Sequence, residues 1–336
     1  MFTNRMIRNL LVPVVLEQIL NSIMGTADTM MVSNVGSAAL SAVSLVDSIN
    51  VLLIQAFSAL AAGGAIVCAQ YIGQRNYEKA NMSARQVLFI ITAISVVVSA
   101  VCLIFQKPLL RLIFGAVDAD VMRASETYFF FTALSFPFIA AYDSAASIFR
   151  AQENTKGPMT ISMISNIMNI GGNAVLIWVF HLGVAGAAIS TLVSRIFCAV
   201  VVLWQLRKDR QPVVVRDYLK IRPDWSMIGR ILGLGIPSGI ENSMFQLGKL
   251  AIQSTVSTLG TAAIAAQAMT NILENLNGIA AIGVGVGLMT IVGQCLGAGR
   301  KDEAVYYIKK LCVIAEAIII VSCLIVYILD RPVTIL

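Results

Sequence analysis

Carboxylates inside long apolar runs are the residues best placed to do chemistry in this sequence, because an ionised group is costly there and calls for a partner. In the first run Glu17, Asn21, Met24 and Asp28 are spaced i, i+4, i+7, i+11, one face of a helix. The second run carries Asp47 and Asn50, and the fourth carries Asp143. In the fifth, Asn166, Asn169 and Asn173 recur at i, i+3, i+7, a stripe of neutral oxygens suited to a hard cation when a carboxylate joins it. Glu241 lies in the seventh run, Gln267, Asn271, Glu274 and Gly278 share a face of the eighth, and Glu316 lies in the ninth. Arg195 and Lys249 are the cations within these runs; Arg195 could pair with Asp143. Such stripes line wet cavities that bind ions and polar solutes, or they supply hydrogen bonds that hold helices together.

Enzyme chemistry is not indicated. No Gly-x-Ser-x-Gly, His-Glu-x-x-His or phosphate loop occurs. His181 is the only histidine, and the six cysteines form no Cys-x-x-Cys pair, so neither a cofactor nor a metal centre is expected beyond a coupling cation.

The elements that must position these residues are membrane-spanning helices. Hydrophobic residues make up 58% of the chain and charged ones 12%, against ~25% charged in soluble domains. The apolar runs reach the roughly 20 residues a helix needs to cross a bilayer. They fall near 8–34, 44–72, 86–106, 124–149, 157–180, 184–206, 231–257, 262–294 and 305–329. Strand-like alternation is absent, which argues against a barrel. With the N-terminus in the cytoplasm, 18 Lys and Arg fall on the inner side and four (Lys107, Arg111, Arg123, Arg331) outside, the asymmetry expected of a plasma-membrane protein. The +6 net charge therefore reads as membrane orientation, not nucleic-acid binding.

A shift of 224 residues superposes the sequence on itself without a gap. Pro13 meets Pro237, Glu17 meets Glu241, Gly63 meets Gly287, Gln70 meets Gln294, Gly73 meets Gly297 and Pro108 meets Pro332. Six helices lie between the copies, so the repeats enter the membrane in the same sense. The expected fold is an all-α polytopic membrane protein of two parallel-repeat bundles. Residues 1–206 form six helices, 207–226 a polar cytoplasmic linker, and 227–336 the first three helices of a second bundle that reads as truncated.

Several segments carry a family likeness. Thr26-Ala-Asp-Thr-Met-Met-Val-Ser-Asn-Val-Gly36, Gly73-Gln-Arg-Asn-Tyr-Glu-Lys-Ala80, Phe149-Arg-Ala-Gln-Glu-Asn-Thr-Lys-Gly-Pro-Met159 and Gly183-Val-Ala-Gly-Ala-Ala-Ile-Ser-Thr191 resemble the multidrug and toxic compound extrusion (MATE) transporters. The resemblance covers essentially the whole chain. It implies two six-helix bundles forming a V, and export of organic cations and amphipathic drugs in exchange for Na⁺ or H⁺. It places Asp28 at a cation site together with Asn169, Asn173 and Thr191, although the family's usual Asp is here Asn173. The family's acidic position on the seventh helix is here Phe245, with Glu241 one turn earlier. Glu17, Asn21, Asp47, Asn50, Asp143, Glu241, Gln267, Asn271 and Glu274 are the expected cavity lining. A flippase for lipid-linked intermediates, or a truncated fragment that transports nothing, are the other readings.

Overall fold

The computed structural model describes residues 2–335 apart from 115–117, 209–210, 217, 219–221 and 258–260; some side chains of the last three helices, Asn271 among them, lie outside the described set. Eleven α-helices and one π-helical turn occur among the described residues, and no strand. The first half holds α1 (Asn4–Ser33), α2 (Ser37–Gly73), α3 (Tyr77–Ile104), α4 (Gln106–Phe114), α5 (Ala119–Leu134), α6 (Phe136–Ala151), α7 (Lys156–Ala174), which runs into the π turn Val175–Val179, and α8 (Gly183–Leu206). The second half holds α9 (Trp225–Ser257), α10 (Thr261–Gly297) and α11 (Lys301–Ile335).

Helices begin before the apolar runs do. α3 starts at Tyr77, nine residues ahead of its run, because polar first turns protrude from the membrane and are capped there; the Asn76 side chain accepts from Lys79 N–H. Among the described residues six single helices are long and apolar enough to span, and the bent pair α5–α6 makes a seventh. α9 does not meet that measure because Gly233, Gly235, Ser238, Glu241, Asn242 and Gln246 dilute it.

The fourth expected span is two helices bent by 42° at Ser135. Pro137 supplies the cause, since it has no N–H to give Ala133 O; Ser99 Oγ donates to that carbonyl instead, at 2.8 Å. Pro13 acts likewise in α1. It leaves Asn9 O without its helical donor, and Thr155 Oγ1 reaches it at 3.2 Å.

The repeat is visible helix by helix. Ser37–Gly73 plus 224 is Thr261–Gly297, the bounds of α10, and α3 and α11 both start four residues after those ends. Packing is crossed: α1 lies on α10 and α2 on α9, with α2 against α10 between them. Glycines make this possible, and in pairs. A Cβ on Gly73 would overlap Gln294 O, and one on Gly297 would overlap Gln70 O. Gly63 abuts Gly235, while Gly287 abuts Leu11, the repeat equivalent of position 235. Small residues let helix backbones approach in a medium where apolar burial alone gives no preference.

The α6 C-terminus closes on the other half. Its last carbonyls have no helical donors, and Thr290 Oγ1 and Gln294 Nε2 from α10 donate to Arg150 O and Ala151 O at 3.1 and 2.9 Å. The connector is tied to the first half where Gln86 Nε2 donates to Arg222 O at 2.7 Å and Asp224 N–H donates back to Gln86 Oε1. Burial against Leu203 O pushes the Tyr218 phenol up to about 12.

Matching helix ends use matching turns. Asn76 N–H donates to Tyr71 O, and Arg300 N–H to Cys295 O, both across a left-handed residue. In the second copy that residue is Gly299 (φ 74), in the first Arg75 (φ 58). A side chain there costs on the order of 1 kcal/mol. Arg75→Gly should therefore raise stability by about 1 kcal/mol, and Gly299→Arg should lower it by a similar amount, read from thermal unfolding in detergent. Equal stabilities for Arg75→Gly and the parent would show that the turn relaxes around arginine.

Candidate functional site

Three polar clusters occupy the interior of the first half. In the first, α1, α7 and α8 bring Asp28, Asn169, Asn173 and Thr191 together. Asn173 Nδ2 donates to Asp28 Oδ1 at 2.6 Å. The Asn169 amide, oriented so that donors face acceptors, donates to the same oxygen at 2.9 Å and accepts from Thr191 N–H at 3.3 Å. Thr191 Oγ1 donates to Ala187 O. Asn169 and Asn173 are almost wholly buried, and Asn173 Oδ1 has no hydrogen-bond partner. α7 and α8 come close enough for this because Gly172 faces Ser190, whose hydroxyl donates to Asn169 O at 2.8 Å.

The second cluster surrounds Asp47 of α2. Asn50 Nδ2 and Tyr128 OH donate to its Oδ1 at 3.1 and 3.2 Å, and its charge acts on Asp28. Arg195 acts on Asp47, Asp143 and Asp28 from a distance and forms no close ion pair with Asp143. Its Nη1 donates to Ser135 Oγ at 2.7 Å, drawn there because the break between α5 and α6 leaves a hydroxyl facing α8.

The third cluster is an ion pair. Arg150 Nη2 donates to both Glu17 oxygens at 3.2 Å, and Tyr142 OH donates to Glu17 Oε1 at 3.0 Å. Glu17 is 2% exposed, so it belongs to packing between α1 and α6 rather than to an open wall. Arg150 is one of the 18 inner-side cations of the charge count; the structure puts it in the last turn of α6 with its guanidinium turned inward, its side chain 17% exposed. The missed signal was Glu17 itself, which needed a cation.

Other expected residues are scattered. Asn21 accepts from Ser162 and Asn166 of α7, each at 3.0 Å. Asp143 lines a cavity of about 280 Å³ between the halves, opposite Ser238 and Asn242 of α9 and Met289 of α10. Glu241 is exposed and Gln267 partly buried. Glu274 pairs with Lys249 at 2.8 Å. Asn271 lies outside the described side chains. Among the described residues no group of three metal-ligating side chains occurs.

Two repeats of membrane-spanning helices, packed crosswise with a cavity between them that holds Asp143 and Arg150, define a polytopic membrane protein. The family model described as MatE matches residues 13–175 and 237–335, two stretches that begin on the repeat partners Pro13 and Pro237. The chain belongs to that family. It is 28% identical over 302 residues to the probable multidrug resistance protein YoeA of Bacillus subtilis, covering 87% of this chain and 64% of that protein. It is 24% identical to the probable multidrug resistance protein NorM of Thermotoga maritima, covering 96% of this chain and 70% of that protein. Among solved structures, a MATE protein in the bent conformation superposes with a TM-score of 0.90 at 20% identity, over 98% of this chain and 73% of that one. That likeness establishes the fold. The chain thus spans about two thirds of the length of these relatives.

Proposed function

We infer that the chain serves in cation-coupled export of organic cations and other amphipathic small molecules, with Asp28 as the coupling carboxylate and Na⁺ or H⁺ as the coupling ion. Residues 1–206 and 227–336 act as its two bundles, joined by the cytoplasmic connector 207–226, with the N-terminus in the cytoplasm of a bacterial cell. The observation that carries this reading is the unpartnered Asn173 Oδ1, buried beside Asp28. A buried acceptor without a donor is costly, and a hard cation shared with the carboxylate and Thr191 Oγ1 would satisfy it. The names of the relatives, multidrug resistance proteins, agree with the substrate class.

The mechanism follows from charge. Entry of a cation neutralises Asp28, so its amide donors lose their anionic partner and α1 is free to change its contacts with α7; expulsion of the organic cation then follows from the altered cavity. Binding of radioactive sodium to the purified chain, measured against a pH series, tests the site. Saturable binding in competition with protons is expected for the parent. Asp28→Asn should reduce it at least tenfold while the unfolding temperature stays near that of the parent. Undiminished ion binding in a folded Asp28→Asn chain would remove Asp28 from the role.

A further inference from the structure

We propose that the groove between α1 and α11 binds one anionic phospholipid, its phosphate held by Arg8 and Lys310 and an acyl chain laid along the groove. The groove, about 520 Å³, is walled by these two helices with Val284 of α10 at its floor. Both helices start at the same end of the molecule, the end rich in Lys and Arg, and run in the same sense. Their facing stripes match: Arg8, Val12 and Leu16 on α1, Lys310, Ile314 and Ile318 on α11, each at i, i+4, i+8. Each stripe therefore has a cation at the interface and about 12 Å of apolar wall beneath it. That is the order of charge and hydrocarbon in a phospholipid. Gly283 and Gly287 bring the floor close, the first against Val15 and the second against Leu11.

Neither charge is neutralised by a carboxylate, although Lys310 Nζ also lies 5.6 Å from the centre of the Tyr306 ring. Arg8 makes no hydrogen bond or ion pair with a described residue, and Lys310 Nζ donates to the neutral Asn4 Oδ1 at 2.7 Å. No carboxylate lines the groove, and Glu303, two turns nearer the start of α11, is engaged by Arg300 at 2.8 Å. Two unopposed cations at headgroup level favour an anionic over a zwitterionic headgroup by roughly thirtyfold.

The test uses the 336-residue chain purified in a neutral maltoside detergent and titrated with phosphatidylglycerol or phosphatidylcholine of the same acyl chains. Thermal unfolding and the lipid retained in native mass spectrometry are read together. Phosphatidylglycerol should raise the unfolding temperature and be retained as one molecule, with roughly thirtyfold preference. Arg8→Gln/Lys310→Gln should abolish the preference and leave unfolding in detergent alone unchanged. Leu16→Trp, which fills the groove and keeps both cations, should also abolish retention. Glycerol phosphate, the headgroup without chains, should give no shift. Equal responses to the two lipids, a preference that survives both variants, or a full response to glycerol phosphate would each overturn the proposal.

Discussion

An Arg150→Met chain should lose about 3 to 5 kcal/mol of stability, the usual result of stranding one member of a buried ion pair. Glu17 keeps only the Tyr142 hydroxyl in that variant, because both its oxygens are otherwise served by Arg150 Nη2. Glu17→Gln/Arg150→Met should recover most of the loss, since the charge and its partner leave together. Glu17→Gln alone should cost less than Arg150→Met, as a glutamine oxygen still accepts from Tyr142. Thermal unfolding in detergent of the parent, both single variants and the double variant gives the cycle. An Arg150→Met chain within 1 kcal/mol of the parent would mean that Glu17 reaches solvent.

Gly297→Ala and Gly73→Ala should each cost about 3 kcal/mol or more, with unfolding temperature and elution volume as the readouts. Their added methyl groups meet backbone carbonyls, Gln70 O and Gln294 O, and backbone yields less readily than a side chain. Gly285→Ala on the same helix α10 is the control. Nothing lies within 4 Å of its Cβ position, so the substitution should stabilise by about 0.5 to 1 kcal/mol through helix propensity. The opposite signs within one helix isolate close packing from propensity. A Gly297→Ala chain as stable as Gly285→Ala would show that α2 and α10 do not cross where the structure has them.

Much of this architecture was legible because membrane helices announce themselves by length and the repeat by its Pro, Gly and Gln positions. Spacing placed Asp28 on a stripe of the first helix and Asn169 and Asn173 on a stripe of the fifth; the structure sets those faces against one another. The break at Ser135 was harder to read, since its cause, Pro137, sits in an otherwise continuous apolar run. Asn50, one turn from Asp47, was legible, but the partners that Glu17 and Asp47 find on other helices were not. Tyr142, Arg150 and Tyr128 come from other helices, and which helix faces which depends on the fit of small residues, a property of surfaces rather than of spacing. The same holds for the placement of α1 on α10.

That placement also sets a timetable. α1 ends at Ser33 and α10 begins at Thr261, and a chain grows at roughly 5 to 20 residues per second. For roughly ten seconds to most of a minute after its insertion, α1 has only lipid where Leu10, Leu11 and Val15 will meet α10. The emerging first half is an open assembly with an uncovered seam, and it closes only when α10 is threaded in and its side chains reach the waiting carbonyls of α6. A lesion in α10 therefore leaves the earlier helices inserted with this seam still uncovered.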